Sequence, residues 1–489
     1  MQHNLLILLF LFTVGIIHSC VTKKISKIGI IGGGIGGTSC ALFLKTLFGE
    51  TEIEIDLYEA EKVGGRLSAI EFSKNQYEEG GSIIHDRNKY MSGFLKKFNF
   101  NKRHSTEGYF GLYDGKQFIF AESDWQIKTL WNVIYRYGFG FWKLKNEIDD
   151  MLNKFDRIYD LQNLGEAFDT VEALLAAIDP KFVDYLNVST KHGFEKDGIS
   201  NMIINEIIMA TIRANYGQNV NIPKMVGSVS VAGAFGDLWA VKGGNFKIPQ
   251  YLLKESKANL ILRTVSAVKR LGSEKIQISS KTSDSALEEI ETYDIVVVAA
   301  PQTSDAQHLI EFKDFTEKIK FHGRYHTTVC TLVEGNLAEE YFPKQNPQID
   351  EILTVKDEIL FNSIGRITPV DYSPNGETNK SNVWKVFTQK KMKNQDISLL
   401  FSDVSNKYEK KWLAYPHYES QVPLKNNSFI LATNLYHINA IEWAASAMEM
   451  SVIGAKNVAL LIYKNLLSKP GQEDVDDSVD SINQKGEEL

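Results

Sequence analysis

The first regular pattern in the chain is a pair of short apolar segments that flank one helical segment. Residues 27–31 are mostly apolar, as in a buried strand, and residues 53, 55 and 57 alternate with polar ones, as in a second strand. Residues 36–48 between them are predicted to form a helix. A strand, a turn, a helix and a second strand within about thirty residues predict a βαβ unit.

Further along, the pattern changes from helical to extended. Apolar residues recur at helical spacing in residues 130–155, 170–186 and 199–213, so the region from about 88 to 219 is predicted to be mainly helical. Strands are predicted at 258–269, 276–280 and 294–300, the last being β-branched and stopped by Pro301. Residues 310–425 mix strands and loops, and residues 440–467 predict one long helix.

The charge is concentrated at the carboxyl end. The formal net charge is −7, but the chain from Gly471 onward carries seven acidic residues and a single lysine. The remainder is therefore close to neutral and has no basic field that would attract nucleic acid. Residues 469–489 are predicted to be a disordered acidic tail.

The amino-terminal residues have the pattern of a secretory leader. Residues 5–17 are an apolar run, too short to span a bilayer, and are followed by small residues, so residues 1–20 are predicted to be a signal peptide. An uncleaved anchor is the alternative. The three sequons at Asn187, Asn379 and Asn426 agree with the secretory pathway and are candidate glycosylation sites.

A glycine cluster follows the first predicted strand. Gly32, Gly34 and Gly37 form Gly-x-Gly-x-x-Gly, which allows a tight turn, close approach of a pyrophosphate, and close packing of the helix on the sheet. Glu59 ends the second strand, where a carboxylate can accept hydrogen bonds from both ribose hydroxyls and would repel a 2′-phosphate. The spacing and context therefore predict a dinucleotide site.

A second glycine pair follows at once. Gly64, Gly65 and Arg66 combine close backbone approach with a fixed cation, and their position resembles the second signature of the glutathione-reductase-type flavoproteins. That resemblance implies FAD. It also implies that Gly81 lies in a loop near the flavin ring, that the backbone of Val265 contacts adenine, and that Glu442 opens a helix directed at the flavin. Ordinary core roles for these last three remain open.

The fold class that follows is α/β. We expect a Rossmann-type FAD-binding domain with an inserted α+β substrate-binding domain, similar to amine oxidases and GDP-dissociation inhibitors. Because the next buried parallel strand returns only near residue 294, the FAD-binding domain is predicted to be discontinuous. Its parts are residues 25–100, 235–310 and 425–468, and residues 100–235 and 310–425 form the substrate-binding domain.

Several longer segments resemble the prenylcysteine oxidase family. They are the glycine cluster at 32–37 and residues 58–67 (YEAEKVGGRL), 213–218 (RANYGQ), 238–245 (LWAVKGGN), 439–446 (NAIEWAAS) and 455–461 (AKNVALL). The resemblance implies an oxidase that cleaves the thioether of farnesyl- or geranylgeranyl-cysteine, with molecular oxygen as acceptor. The implied products are cysteine, the prenyl aldehyde and hydrogen peroxide, and the implied compartment is the lysosome or the secretory route.

Such chemistry requires positioning more than acid–base groups. His85 could act on the proton of the attacking water, with a packing histidine as the alternative, and Arg213 and Asn215 could bind the cysteine part, with a structural arginine as the alternative. An aromatic stretch from Trp125 to Trp142 could line a prenyl tunnel, form a helical core or face a membrane. No metal ligand set is predicted.

FAD is expected to bind non-covalently, although a link to Cys40 or Cys330 stays open. Two rival functions also remain. One is an amine-oxidase-type flavin oxidase that acts on amines. The other is a non-enzymatic prenyl carrier like the GDP-dissociation inhibitors, against which the retained glycines, Glu59 and Arg66 argue.

Overall fold

The computed structural model describes residues 26–49, 53–104, 108–282, 287–303, 305–373, 381–419 and 427–467. Its strands are, in chain order, β1 Ser26–Ile31, β2 Ile53–Glu59, β3 Ala69–Phe72, β4 Asn75–Glu78, β5 Ile84–His85, β6 Lys102–His104, β7 Tyr109–Tyr113, β8 Phe118–Ala121, β9 Leu238–Val241, β10 Asn259–Leu262, β11 Thr264–Leu271, β12 Lys275–Lys281, β13 Glu289–Tyr293, β14 Ile295–Val298, β15 Glu311–Lys313, β16 Tyr325–Leu337, β17 Ile349–Thr354, β18 Ser363–Arg366, β19 Val383–Thr388, β20 Phe401–Pro416, β21 Ile430–Ala432 and β22 Leu435–His437.

The α-helices are α1 Ile35–Phe48, α2 Lys89–Lys97, α3 Gln126–Tyr137, α4 Gly140–Phe155, α5 Arg157–Asn163, α6 Val171–Ile178, α7 Lys181–Asn187, α8 Thr190–Lys196, α9 Asn201–Ile203, α10 Met209–Tyr216, α11 Lys224–Ala232, α12 Lys247–Ser256, α13 Asn394–Leu400 and α14 Met448–Leu467. A π-helical turn, Ile204–Ile208, joins α9 to α10, and a 3-10 helix, Ile438–Trp443, precedes α14.

The predicted βαβ unit lies at the centre of a six-stranded sheet with the order β10-β2-β1-β14-β22-β21. β1 pairs in parallel with β2 and with β14, so that Ile28 lies opposite both Ile55 and Ile295. All four residues of β14 are buried, as the β-branched run predicted. The sheet is therefore built from three distant parts of the chain. β2 lies on one side of β1 and β14 on the other, so the strand order changes direction at β1. A crevice at the carboxyl ends of such strands is where open α/β sheets bind ligands.

Both faces of this sheet are covered. On one face α1 packs against α12 and α14, and Phe43 and Leu44 are fully buried in the shared core. On the other face lies a smaller sheet with the order β13-β12-β11-β15. A methyl group at Gly29 would meet Ile278 at 2.8 Å and Tyr293 at 3.2 Å, so the glycine in β1 lets the two sheets approach closely.

A seven-stranded sheet, β20-β16-β19-β18-β17-β7-β8, forms the second large layer. Leu112 and Phe120 on its last two strands share a core with Leu144 and Ile148 of α4 and with Ile212 of α10. Helices therefore cover this sheet, which confirms an α+β arrangement beside the Rossmann-type sheet.

The region from residue 88 to 219 is less uniformly helical than predicted. It contains β6, β7 and β8, which the sequence interpretation missed; β7 pairs with β8 and also with β17, a strand far along the chain. The segment 130–155 is also two helices, because Gly138 ends α3 with a positive φ of 59°. The segment 170–186 is divided at Pro180, since a helix ends before a residue that has no backbone N–H to donate.

The prediction of one helix over residues 440–467 was wrong. The 3-10 helix ends at Trp443 and α14 begins at Met448. Between them the backbone N–H of Ser446 donates to the Tyr418 hydroxyl at 2.8 Å, and the carbonyl of Ser446 accepts from the Tyr216 hydroxyl at 3.1 Å. Two tyrosines from other elements thus take the backbone groups that a continuous helix would use.

Some sequence predictions concern residues outside those described. They are the leader at 1–20, the sequons at Asn379 and Asn426, and the tail at 469–489. Asn187 is described, and its side chain is exposed at the end of α7. Within the described part of the chain, none of the helices combines the length and apolarity needed to cross a bilayer.

Candidate active site

In the turn after β1, two of the motif glycines are required by packing within the protein and the third leaves space open. Gly32 has a φ of +115°, and a methyl group on it would lie 2.7 Å from the carbonyl oxygen of Ala299. A methyl group on Gly37 would lie 1.9 Å from the Gly32 oxygen, so α1 packs directly on the turn. A methyl group on Gly34 would meet nothing nearer than the Gly64 oxygen at 3.9 Å. The protein's own packing therefore requires the outer two glycines, while the middle one borders open space at the start of α1.

That open space has the character of a pyrophosphate site. Gly34 is the N-cap of α1, and the first turn of α1 contains no acidic side chain. The unpaired N–H groups and the dipole at this helix end attract an anion, and the glycine leaves room for it to approach. These residues fit the dinucleotide that the motif predicts.

Glu59 is held beside the turn by two backbone N–H groups. Its Oε2 accepts from Gly33 at 2.8 Å and its Oε1 accepts from Glu61 at 2.9 Å. Each carboxylate oxygen can accept a second hydrogen bond, because it has two lone pairs and accepts from one backbone donor here. The side chain is only half-buried, so a ligand can reach it. This arrangement suits a carboxylate that accepts hydrogen bonds from ribose hydroxyls.

The second glycine pair is attached to the first. The N–H of Gly64 donates to the Gly33 oxygen at 2.9 Å, and Gly34 forms an isolated parallel bridge with Gly64. Gly64 and Gly65 both have positive φ, at 130° and 55°. The two loops therefore form one rigid rim at the end of β1.

Arg66, which the sequence interpretation gave as a fixed cation, is held by partners within the protein, and its contact with the cofactor stays a prediction. Its guanidinium makes a two-point ion pair with Glu442, at 2.5 and 3.0 Å, and also donates to the carbonyl of Ala414 at 2.7 Å. Glu442 is 1% exposed and accepts further hydrogen bonds from Tyr325 and Asn439. Burial raises the pKa of Glu442, but Arg66 and these donors outweigh it and hold the pKa below its ordinary value.

Glu442 itself differs from its predicted setting. It lies in the 3-10 helix rather than at the start of the last long helix, and its carboxylate is occupied by protein partners. We infer that the Arg66–Glu442 pair fixes the second glycine loop to the carboxyl-terminal segment.

The predicted flavin-ring loop packs on the same rim. The N–H of Gly81 donates to the Arg66 oxygen at 3.0 Å, and the Asn245 amide donates to the Gly81 oxygen at 3.1 Å. A methyl group on Gly81 would lie 3.9 Å from the terminal carbon of Met448, the first residue of α14. The amino end of α14 therefore lies next to this loop, and the placement of the loop near the flavin stays a prediction.

Val265 lies in the core between the six-stranded sheet and the smaller sheet that packs on it. It is buried in a hydrophobic cluster with Ile31 and Tyr58, which stand at the carboxyl ends of β1 and β2. This cluster provides an apolar wall beside Glu59. The contact of its backbone with adenine stays a prediction.

His85 is held as a structural side chain. Its Nδ1 accepts from the N–H of Arg87 at 3.0 Å, and a methyl group on Gly236 would lie 1.9 Å from its Nε2. Burial lowers the pKa of His85, which favours the neutral form of the ring. The geometry favours the packing role over the catalytic one.

Arg213 and Asn215 are also engaged with the protein. Arg213 is 1% exposed and donates to Thr354, Asp357 and the carbonyl of Phe361 at 2.7–3.0 Å. The amide of Asn215 donates to the Ser230 backbone oxygen at 3.2 Å and to its hydroxyl at 3.0 Å. The structure thus favours a structural arginine, the alternative that the sequence left open, and leaves cysteine recognition by Asn215 a prediction.

A cluster of tyrosines beside Glu442 was missed. The Tyr418 hydroxyl donates to the Glu442 backbone oxygen at 2.9 Å, and its ring stands edge-on to Tyr216 at 5.6 Å. Tyr415 also meets Tyr216 edge-on at 5.2 Å, and Tyr325 donates to the Glu442 carboxylate at 2.9 Å. These four rings come from three separate segments, so local spacing could not have revealed the whole cluster.

The aromatic stretch that could have lined a tunnel lies largely on the surface. Trp131 is 65% exposed and Tyr135 is 93% exposed. Cys40 and Cys330, by contrast, are fully buried. Among the described residues, no group of histidine, cysteine or acidic side chains is arranged to hold a metal ion.

The amino-acid sequence was compared with models of known protein families. Residues 120–477 match the prenylcysteine lyase family. The chain belongs to the prenylcysteine lyase family.

Other comparisons agree with this membership. Residues 30–98 match an NAD(P)-binding Rossmann-like domain. Prenylcysteine oxidase 1 of Homo sapiens is 39% identical over 451 residues, which cover 89% of this chain and 88% of the relative. Prenylcysteine oxidase 1-like of Bos taurus is 34% identical over 462 residues, which cover 92% and 93%.

Solved structures confirm the fold. A putrescine oxidase double mutant superimposes with a TM-score of 0.58 at 13% identity, covering 91% of this chain and 99% of the other. A putative protoporphyrinogen oxidase from Exiguobacterium gives a TM-score of 0.58 at 12% identity, covering 90% and 99%. The lyase-family chain thus has the architecture of the amine-oxidase-like flavoproteins.

Proposed function

We propose that this protein is an FAD-dependent oxidase that cleaves the thioether bond of S-prenyl-L-cysteines during the degradation of prenylated proteins. The observation that carries the proposal is the intact dinucleotide cradle in a chain of the prenylcysteine lyase family. Gly34 faces open space at the start of α1, and Glu59 stands fixed beside it. A carrier without cofactor would have no physical need for either feature.

The proposed reaction consumes one molecule of O2 and one molecule of water for each prenylcysteine. The prenylcysteine, oxygen and water give cysteine, the prenyl aldehyde and hydrogen peroxide. When bound, FAD supplies the two-electron acceptor for a hydride from the allylic carbon next to sulfur and returns those electrons to oxygen. Sulfur and the adjacent double bond both stabilise the positive charge left on that carbon, so the oxidation makes it open to attack by water.

The chain's own residues provide binding and orientation. The amino end of α1 would hold the pyrophosphate, Glu59 the ribose, and the loop that contains Gly81 would lie near the ring system. The Arg66–Glu442 pair keeps these loops at a fixed distance from the tyrosine cluster. These residues supply binding and orientation, and a catalytic role for His85 stays a prediction.

The decisive experiment is turnover of S-farnesylcysteine by the purified protein. We expect peroxide, farnesal and cysteine in equal amounts, and no peroxide from polyamines, which would be oxidised by an amine-oxidase-type enzyme. A yellow protein that produces peroxide only from amines would overturn the substrate, and a colourless protein that still binds prenylcysteine would point to a carrier.

Non-covalent attachment of FAD belongs to the same proposal. Cys40 lies inside α1 and Cys330 inside β16, and neither side chain reaches the surface. Burial raises the pKa of both thiols, which keeps them unreactive. Acid denaturation should release all of the flavin into the supernatant, and flavin that stays with the precipitated chain would contradict this.

We further propose that the protein enters the secretory pathway and reaches the lysosome. The apolar run at 5–17 and the sequons support this route. Asn187 supports it as well, because an exposed residue at the end of a helix is accessible to a glycosyltransferase. Treatment with a peptide N-glycosidase should reduce the apparent mass of the expressed protein, and Asn187→Gln should remove one step of that change. A chain without glycan would contradict the route.

A further inference from the structure

Helix α3 presents an apolar face that no described part of the chain covers. Ile127, Trp131 and Tyr135 follow one another at a spacing of four residues and are 68%, 65% and 93% exposed. Trp125 and Phe139, just outside the two ends of the helix, are 72% and 81% exposed. We call these five residues the aromatic face. Large side chains clustered in this way on a surface indicate an interaction site rather than isolated exposure.

The face is held rigidly despite its exposure. Near the end of α3, Arg136 makes a two-point ion pair with Glu206, with both distances at 2.7 Å, and Tyr137 donates to the same carboxylate at 2.9 Å. Glu206 lies in the π-helical turn Ile204–Ile208. The helix is thus anchored at one end through its polar residues, and the aromatic face does not need to order itself on binding a partner.

The charge around the face fits an anionic partner. Between Asp124 and Glu147 the chain contains no acidic residue, and Lys128 and Lys143 in this stretch are exposed, while Arg136 and Lys145 are paired with Glu206 and Asp149. Trp and Tyr prefer the interface between lipid headgroups and acyl chains, and basic residues on such a helix attract anionic lipids. The composition therefore matches the surface of a bilayer that contains anionic phospholipid.

The aromatic face also continues into the protein. Phe139 contacts Trp142 with ring centres 6.1 Å apart, Trp142 contacts Phe141 at 5.7 Å, and Phe141 contacts Phe235 at 5.3 Å. The next residue, Gly236, lies against His85, which follows the loop that contains Gly81. An apolar series of contacts therefore leads from the surface toward the cofactor site.

We propose that the aromatic face docks this protein on an anionic phospholipid bilayer. The benefit of docking for access to a prenylated substrate rests on the proposed function. Docking itself does not, since it follows from the exposed residues and the neighbouring lysines. A substrate with a long isoprenoid partitions into membranes, so an enzyme docked in this orientation would meet it there.

The test is co-sedimentation of the purified flavin-containing protein with vesicles, without substrate. Vesicles of phosphatidylcholine mixed with phosphatidylserine should bind the wild type, and binding should be weaker to phosphatidylcholine alone. Trp131→Ala/Tyr135→Ala should weaken binding roughly tenfold or more, because two large apolar side chains no longer enter the interface. Lys128→Glu should weaken it about fivefold or more and reduce its dependence on salt.

A matched control removes exposed apolar side chains elsewhere. Leu164 and Leu309 are 68% and 56% exposed and lie outside the aromatic face, so Leu164→Ala/Leu309→Ala should bind like the wild type. Equal binding by all variants, or no binding by the wild type, would overturn the proposal. A dimer in sedimentation velocity that the Trp131/Tyr135 variant dissociates would overturn it too, by showing that a second copy occupies the face. A protein that docks normally but does not oxidise prenylcysteine would instead overturn the proposed function.

Discussion

The rim at the end of β1 has a local side, the turn at Gly32–Gly37, and a long-range side, the loop that ends in Arg66. The two sides are held in place by different kinds of contact. The turn at Gly32–Gly37 is fixed mainly by neighbours in the sequence, since Gly37 packs on Gly32 and Gly33 donates to Glu59 at the end of the next strand, with Ala299 as a distant contact of Gly32. The Arg66–Glu442 pair joins residues 376 positions apart and is buried among tyrosines of other segments. The glycine turn can be recognised from the spacing of residues in the sequence, whereas the Arg66–Glu442 pair can be recognised only in the folded structure.

The long-range side should be the more sensitive to loss of a single charge. Arg66→Met leaves the buried Glu442 carboxylate without its cation, which should lower the free energy of unfolding by roughly 3–5 kcal/mol, with the lower end expected because Arg66 is 33% exposed. Urea unfolding measures this. Adding Glu442→Gln should recover much of the loss, and a single variant as stable as the wild type would show that the pair does not hold the rim.

The same carboxyl-terminal segment should make stability depend on pH. Glu449 accepts from the backbone N–H groups of Tyr90 and Met91 and from the Tyr159 hydroxyl, and burial raises its pKa from 4.5 to about 7. Between these values the folded protein holds a proton that the unfolded chain has lost. The stabilisation is therefore complete below about pH 4.5 and disappears as the pH rises through about 7, a change of at most about 3 kcal/mol.

Glu449→Gln provides the comparison for this pH effect, because an amide keeps the shape of the side chain without titrating. The difference in unfolding free energy between wild type and variant should shift in favour of the wild type as the pH falls from 7 to 4.5. A difference that does not change with pH would contradict the assignment.

On the local side, Glu59→Ala should act on the cofactor. Loss of a charge-assisted hydrogen bond to the ribose should weaken FAD binding by roughly 1.5–3 kcal/mol. Equilibrium dialysis of flavin from wild type and variant measures the change, and Glu61→Ala, which removes a neighbouring carboxylate, is the matched control. Unchanged affinity in the Glu59 variant would contradict the ribose assignment.

A smaller effect is expected when Gly37 is changed, and it should fall on the fold. The new methyl group of Gly37→Ala would lie 1.9 Å from the Gly32 oxygen, so α1 must shift, at roughly 1–3 kcal/mol. Thermal unfolding of the flavin-free protein measures this cost. A variant with the wild-type unfolding temperature would show that α1 does not pack on the turn as described.

The difference between local and long-range contacts also explains which features of the fold and the site could be predicted from the sequence. The βαβ unit, its glycines and Glu59 were predictable because each relation lies within a few dozen residues and follows strand and helix periods. Patterning could not show that Arg66 pairs with Glu442, or that Tyr418 interrupts the last helix at Ser446, since those partners meet only in three dimensions. It also could not decide between tunnel and surface for Trp131 and Tyr135, because an apolar stripe looks the same in either setting.

The most direct test of the cofactor site is the ratio of flavin to protein in purified Gly34→Ala. Its methyl group meets no protein atom closer than 3.9 Å, so the variant should fold with nearly wild-type stability yet contain little or no flavin, because the methyl group fills the space at the start of α1. A stable variant with full flavin content would contradict the placement of the pyrophosphate against this helix and the account that depends on it.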